Sequence, residues 1–173
     1  SFDLLHHPLH IKSDKILTDS QSNGFSPCTD YLNYFIKYGN CVSTSSVCAR
    51  RSTLLATGFF DSSNNLISVE DYDLWLRLAL NGCRFYFLNI PLGYYWVGSD
   101  NISFVGSTRI NSEKGLYLKH KNVFTKNSSR YWSLRYSRTL ISLYMKYTKI
   151  SYIKRFLFIS VYAFRYTQHL LKL

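Results

Sequence analysis

The chain has 173 residues, of which 46% are hydrophobic and 17% aromatic, and its formal net charge is +11. This composition excludes an intrinsically disordered chain, and the length favours one domain with an appendage. The charge is uneven, because residues 1–103 hold seven Lys or Arg against nine Asp or Glu, whereas residues 104–173 hold fourteen against one. We therefore predict a globular domain over 1–103 and a basic helical region over 104–173.

The amino-terminal part of the chain predicts a strand, a loop and a helix. The apolar run 2–11, which is broken by two histidines and Pro8, favours a strand that leaves the core. The polar segment 12–27 predicts a loop. Residues 30–38 carry apolar and aromatic side chains at helical spacing, and Gly39 is a plausible end for this helix.

The middle of the chain contains its most regular predicted element. Residues 41–49 are rich in Ser, Thr, Val and Cys and predict a buried strand or a tight passage beside a ligand, and 50–55 predict one or two helical turns. A longer helix then follows Ser68, which we predict as its N-cap because Asp71 stands three residues further on, as in a capping box. Asn81-Gly82 ends this helix.

The remaining segments predict two short strands and a helical tail. Residues 84–89 and 94–97 alternate as strands do, around aromatic side chains. Residues 108–172 predict two or three basic helices. Within them, 156–164 form an apolar run that is too short to span a bilayer.

The cysteines and the amino terminus indicate a cytoplasmic protein. Cys28, Cys41, Cys48 and Cys83 show neither a CxxC spacing nor the density of a small secreted scaffold, so we predict reduced thiols. No charged segment followed by an apolar stretch opens the chain, so no signal peptide is predicted.

Three acids lie within four positions at the start of the predicted helix. Glu70, Asp71 and Asp73 have an ordinary structural interpretation, since acids in a first turn stabilise the helix dipole. Asp73 and Arg77 are also spaced for an i,i+4 ion pair. The residues by themselves leave this structural interpretation and a catalytic one open.

The order and spacing of several motifs resemble family 2 glycosyltransferases. The motifs are Ser45-Ser46-Val47, Arg50-Arg51, Gly58-Phe59-Phe60-Asp61, the run from Glu70 to Leu78, Pro91-Leu92, Tyr94-Tyr95 and Asn101-Ile102-Ser103. The resemblance covers about residues 2–103 and implies an α/β fold, part of a GT-A domain. In that fold a Rossmann-like first half binds a nucleotide-sugar and the second half forms the acceptor site, so we expect 1–103 to be acceptor-side.

The resemblance also implies site residues. Asp71 matches the general base that takes the proton of the attacking acceptor hydroxyl, and Glu70 stands beside it. We expect the helix dipole to lower the pKa of Asp71. Four further residues are candidates for substrate binding, two serines for the sugar and two arginines for a phosphate: Ser45, Ser46, Arg50 and Arg51. The alternative for Arg50 and Arg51 is that both side chains are solvated and contact no phosphate.

The sequence departs from the family at the donor side. A complete enzyme would use Mn²⁺ or Mg²⁺ as its divalent metal, held by an Asp-x-Asp motif upstream of the acceptor half. That motif is absent upstream, where the chain begins at Ser1, so we expect the nucleotide-binding half to be missing. Trp96 and Gly98 stand where relatives often carry Arg and His, and we assign no metal ligand.

The resemblance implies transfer of a sugar from a nucleotide-sugar donor to a saccharide or lipid-linked saccharide, with inversion, in surface polysaccharide assembly. The alternative is a catalytically inactive, truncated remnant that acts at most as a membrane- or partner-binding module. The chain contains no P-loop, zinc spacing or serine nucleophile elbow, so other enzyme classes lack motif support.

The basic tail over 130–173 is amphipathic. Such helices can lie on an anionic membrane, which predicts a peripheral location on the inner face of the membrane. The alternative is that the helices pack on the domain with their charges outward. Interleaved aromatic and basic residues could also bind single-stranded nucleic acid, but no nucleic-acid module accompanies them, so nucleic acid is not predicted as a partner.

Overall fold

The computed structural model describes residues 1–13, 16–21, 30–98, 106–147 and 160, and the protein is a mixed α/β chain. Its backbone contacts divide it into two compact units. The first combines Ser1–Ser62 with Glu70–Phe104, and the second combines Ser63–Val69 with Val105–Leu173. Each unit is described by itself.

The first unit contains a three-stranded sheet in the order β4-β1-β5. Strand β1 (Leu4–His6) pairs antiparallel with β4 (Val47–Ala49) and parallel with β5 (Phe85–Phe87). The strand predicted within 84–89 is therefore confirmed. The strand predicted over 2–11 is interrupted at Pro8, which has no N–H for a sheet hydrogen bond.

Helix α1 (Tyr31–Tyr38) packs on this sheet as its sequence predicts. The Asp30 carboxylate caps the helix by accepting the Asn33 N–H at 2.9 Å. Gly39 ends the helix with a φ of 99°, a value that favours glycine. The Tyr31 ring stacks on Phe85 with its centroid 4.6 Å away, so the helix covers one face of the sheet.

A second sheet has the order β3-β2-β6. Strand β2 (His10–Ser13) pairs antiparallel with β3 (Ile16–Gln21) and parallel with β6 (Tyr94–Trp96). The strand predicted over 94–97 is therefore confirmed. The loop predicted over 12–27 is wrong for the last two residues of β2 and for β3. Four of the six residues of β3 are polar and its apolar residues do not alternate, so backbone pairing with β2 rather than an apolar pattern identifies it. Residues 22–29 of the predicted loop lie outside the described residues.

The predicted strand over 41–49 is in part a 3-10 turn, Thr44–Ser46, which leads into β4. Helix α2 (Arg51–Thr57) follows and agrees with the helical turns predicted near 50–55. This helix has no fully buried residue.

Helix α3 (Glu70–Leu80) confirms the longer predicted helix, and Gly82, with a φ of 73°, confirms its predicted end. The predicted N-cap is wrong. Ser68 has a φ of 70°, and its buried hydroxyl makes no hydrogen bond within the described part of the chain. The apolar side of α3 is fully buried, and its members are Tyr72, Leu74, Trp75, Leu76 and Leu78.

Arg77 fastens α3 to the segment that follows α2. Its guanidinium donates to the buried Asp73 carboxylate at 2.9 Å, which confirms the predicted i,i+4 pair. The same guanidinium donates to the carbonyl oxygens of Thr57, Gly58 and Phe59 at 2.9, 3.0 and 2.8 Å. Of the three acids at the start of α3, Asp73 therefore has a structural role, as the ion-pair partner of Arg77.

The second unit contains α4 (Gly106–His120), α5 (Lys126–Tyr147) and the 3-10 turn Asn64–Leu66. Both helices fall within the predicted basic helical region, of which 148–173, except residue 160, lies outside the described residues. A Cβ atom at Gly115 would overlap the carbonyl oxygen of Asn65, so only glycine fits this contact. The unit is therefore packed closely at this point.

Charged groups are buried between α4 and α5. The Glu113 carboxylate lies 3.0 Å from the Arg109 guanidinium and 3.5 Å from that of Arg135, and Glu113 and Arg135 are both buried. Trp132 is also fully buried. Part of the predicted basic tail is thus used in packing, and its binding to an anionic membrane stays a prediction. Among the described helices, none is both long enough and apolar enough to cross a bilayer.

His6 is a core residue of the first unit. Its Nε2 lies 3.0 Å from the Tyr31 hydroxyl, and its ring contacts Phe87 at 5.2 Å between centroids. Burial, assisted by the charge of His7, lowers the pKa of His6 from 6.5 to about 4. His6 is therefore neutral in the folded protein at neutral pH.

We predict that protonation of His6 destabilises the fold in acid. Below pH 6.5 the unfolded chain binds a proton that the folded chain does not accept until about pH 4. Stability is therefore fully present above pH 6.5 and falls by about 3 kcal/mol across this interval. His6→Gln, whose amide can form a hydrogen bond with the Tyr31 hydroxyl, should lose less stability than the wild-type chain when thermal unfolding is compared between pH 6.5 and about 4. Equal losses in the two proteins would contradict the prediction.

Candidate functional site

Asp71 lies half-buried in the first turn of α3, where three donors reach its carboxylate. Oδ1 accepts the backbone N–H of Tyr72 at 2.6 Å. Oδ2 accepts the Asn40 amide and the Thr44 hydroxyl, each at 3.2 Å. A carboxylate offers about four lone-pair positions, so one position, on Oδ1, has no donor among the described residues.

Two buried side chains of α3 bring this site together. The Trp75 indole N–H donates to the carbonyl of Val42 at 3.1 Å, and the Tyr72 hydroxyl donates to the carbonyl of Phe35 at 2.6 Å. Both bonds join α3 to the end of α1 and to the segment that follows it. The polar residues of that segment are therefore placed beside the start of α3.

Asn40 is oriented by a second hydrogen bond. Its Oδ1 accepts the Val42 N–H at 3.0 Å, which turns its amide nitrogen toward Asp71. Thr44 opens the 3-10 turn and presents its hydroxyl to the same carboxylate oxygen. Both side chains are exposed, so their polarity is not required by the core.

Burial raises the pKa of Asp71 above its ordinary value, and the nearby charge of Glu70 acts in the same direction. The three hydrogen bonds oppose this shift without cancelling it. The expectation that the helix dipole gives Asp71 a lowered pKa is therefore wrong, because desolvation outweighs it. A carboxylate with a raised pKa is a stronger proton acceptor, which suits a general base.

Glu70 lies next to Asp71 as the sequence requires, but its environment differs. Its Oε2 is buried and has no hydrogen-bond partner within the described ranges. Such a group is costly to bury unless another group pairs with it. The negative charge of Glu70 raises the pKa of Asp71. Direct contact of Glu70 with a substrate stays a prediction.

The two serines differ in their surroundings. Ser45 is exposed on the 3-10 turn, directly after Thr44, where its hydroxyl is open to solvent. Ser46 is buried, and its hydroxyl donates to the carbonyl of Ser43 at 2.8 Å. The geometry thus gives Ser46 a structural hydrogen bond, and of the two predicted sugar contacts Ser45 is the accessible one.

The two arginines also differ. Arg50 donates to the carbonyl of Phe2 at 2.7 Å and lies 3.9 Å from the Asp3 carboxylate, so it holds the start of β1. Arg51 is exposed at the first residue of α2. Contact of either arginine with a phosphate stays a prediction.

The described residues do not fit the divalent metal that the resemblance implies. Among them, no group of three His, Cys, Asp or Glu side chains could hold a metal ion. The sequence has an Asp-x-Asp spacing only at Asp71 and Asp73, and Asp73 is occupied by Arg77. Metal binding therefore has no support from this part of the chain.

Two surface cavities lie at the opposite end of α3 from Asp71. Their volumes are about 410 and 630 Å³, and both are lined by Gly82 and Cys83. Neither is lined by Asp71 or by a predicted substrate-binding residue. The candidate site is therefore an exposed surface of the first unit and does not coincide with either cavity.

Asn40 and Thr44 are the site residues that sequence reasoning missed. Asn40 follows the predicted helix end at Gly39, and Thr44 falls within the segment 41–49 that predicts a strand or a tight passage. They precede Asp71 by 31 and 27 positions, so no local pattern connects them with it. The one sequence feature that indicates a polar site here is the polar composition of 40–46, which lies between two structured segments.

Comparison of the chain with protein-family models, curated proteins and solved structures finds no match. The family 2 resemblance therefore rests on the motifs alone. Fold family, activity and partners remain proposals.

We predict that Thr44→Val raises the pKa of Asp71 further. The Thr44 hydroxyl stabilises the charged carboxylate, so its removal favours the protonated form. The pKa is measured from the ¹³C chemical shift of the Asp71 carboxyl carbon during a pH titration. Thr44→Ser keeps the hydroxyl and is the matched control, with a pKa near that of the wild-type chain. The same pKa in all three proteins would show that the bond does not form in solution.

Proposed function

We propose that the chain is the acceptor-side part of a GT-A glycosyltransferase of the family 2 type. In this proposal it transfers a sugar, with inversion, from a nucleotide-sugar onto a saccharide or lipid-linked saccharide in cell-envelope polysaccharide synthesis. The observation that carries the proposal is the environment of Asp71. It combines a raised pKa with one lone-pair position that no described residue fills.

The proposed chemistry at Asp71 is general-base catalysis. The acceptor hydroxyl donates its hydrogen bond to the remaining lone pair on Oδ1. As the hydroxyl oxygen forms a bond to the anomeric carbon, its proton passes to Asp71 and the nucleoside diphosphate leaves. Asn40 and Thr44 hold Oδ2, so the carboxylate keeps a fixed orientation toward the hydroxyl.

The donor side belongs to a nucleotide-binding half that we expect as a separate segment or polypeptide. The described residues supply no metal site for the diphosphate. This chain would then contribute the acceptor surface and the base, and the complete enzyme would work in the cytoplasm, at the inner face of the membrane. Support for the location comes only from the basic charge of 104–173.

A catalytically inactive binding module is the second candidate. The observation that favours it is the same lack of a metal-binding group among the described residues. Such a module would bind a saccharide or a partner without any dependence on the protonation of Asp71. The two candidates therefore differ in what Asp71 does when a saccharide binds.

We predict that the purified chain binds simple saccharides through Asp71. Saturation-transfer NMR with the methyl glycosides of glucose, galactose, mannose and N-acetylglucosamine should show transfer to at least one glycoside. Asp71→Asn should reduce that transfer, because one acceptor oxygen is replaced by a donor nitrogen and the remaining amide oxygen is an uncharged and therefore weaker acceptor. Asp30→Asn is the matched control, since it makes the same change in charge at an N-cap where Asn is equally suitable.

Two results would count against the proposed base. Equal transfer to a glycoside by wild-type and Asp71→Asn protein would favour the binding module. Absence of transfer to every glycoside, together with saturable binding of a nucleotide-sugar in the presence of Mn²⁺, would show a donor site in this chain and reject the acceptor-side assignment.

A further inference from the structure

The first unit exposes a concentrated apolar surface along one short segment. Four large side chains within seven residues are between 53% and 62% exposed. With the neighbouring Lys12 they form the aromatic surface, which consists of Lys12, Ile90, Leu92, Tyr94 and Trp96. Exposed apolar residues are ordinary when they are scattered along a chain, whereas four large ones within seven residues indicate an interaction site.

The fold displays this surface on the edge of a sheet. Strand β6 pairs only with β2 in the described sheet, and the register places Tyr94 beside His10 and Trp96 beside Lys12. The Lys12 ammonium lies 3.9 Å from the centroid of the Tyr94 ring. Alternate residues of a strand share one face, so the two aromatic rings and the cation face the same side.

The backbone is adapted to the exposed indole. A Cβ atom at Gly98 would lie 2.8 Å from Nε1 of Trp96, closer than such contacts normally come. Glycine therefore allows the chain to pass directly against the edge of the ring. The observed position of the Trp96 ring therefore requires a residue without a side chain at position 98.

We propose that the aromatic surface docks on an anionic phospholipid membrane. Trp and Tyr rings suit the headgroup region, where one end of the ring is apolar and the other wet. Ile90 and Leu92 supply apolar side chains for the acyl boundary, and Lys12 supplies a charge for anionic lipid.

The charge of the two paired strands suits an anionic lipid. Lys12 is the one formally charged residue of β2 and β6, while Asp14 and Asp19 follow β2 in the sequence and Asp100 follows β6. The surface is distinct from the basic region 130–173 predicted to bind membrane. It is also independent of Asp71 and of the proposed activity.

The tryptophans provide a built-in reporter. Trp75 and Trp132 are buried, at 2% and 0% exposure, whereas Trp96 is exposed. Quenching of intrinsic fluorescence by acrylamide therefore reports mainly on Trp96. Trp96→Phe should remove the quenchable component and identifies the signal.

The test uses the full chain with two kinds of vesicle, one of phosphatidylcholine and one of equal parts phosphatidylcholine and phosphatidylglycerol. We expect a blue shift and protection from acrylamide with the anionic vesicles, and weaker effects at high salt. Leu92→Glu should weaken binding by about tenfold or more, because it removes an apolar contact and adds repulsion. Leu55→Glu, at an exposed leucine of α2, is the matched control and should bind like wild type.

Three results would overturn the proposal. The first is vesicle binding that leaves Trp96 quenchable and survives Leu92→Glu, which would assign the contact to another segment such as 130–173. The second is protection of Trp96 without vesicles in a sample whose mass rises with concentration, which would make the surface a protein interface. The third is no binding to either kind of vesicle by folded protein.

Discussion

Three side chains of helix α3 donate hydrogen bonds to main-chain carbonyls of other segments, and the first unit depends on these bonds. Trp75 and Tyr72 donate to main-chain carbonyls of the segment from Phe35 to Val42. Arg77 donates to three successive carbonyls after α2 while it neutralises the buried Asp73. Loss of the Arg77 charge would leave the Asp73 carboxylate buried and uncompensated, which costs about 3–5 kcal/mol. The helix is therefore fixed from two sides.

The chemical properties of Asp71 follow from this anchoring. Because the segment after α1 is held against α3, it supplies Asp71 with donors from Asn40 and Thr44, while burial of the carboxyl group desolvates it. Desolvation favours the protonated acid and the donors favour the carboxylate, and the first effect is larger. The outcome is a carboxylate that is fixed in orientation and still basic. Such a combination suits proton transfer.

Local patterns predicted the regular elements, whereas long-range contacts decided the features that were missed. Helices α1 and α3 follow from apolar periodicity and from their glycine ends, and β5 and β6 follow from aromatic alternation. Strand β3 is polar and is held by pairing with β2, so no periodic pattern marks it. The predicted capping role of Ser68 is wrong because the residue has a φ of 70° and its hydroxyl reaches no donor or acceptor among the described residues. Burial raises the pKa of Asp71 against donors that lie 27 and 31 positions away, and a local sequence pattern encodes neither effect.

Hydrogen exchange of the backbone amides tests most directly whether α3 is the frame of the first unit. The amides from Trp75 to Leu80 should exchange only through global unfolding and should be among the slowest of the unit. The amides of α2, which has no fully buried residue, should exchange earlier through local opening. If α3 exchanged as fast as α2, the anchoring by Trp75, Tyr72 and Arg77 would not hold in solution, and the fixed position of Asp71 would lose its basis.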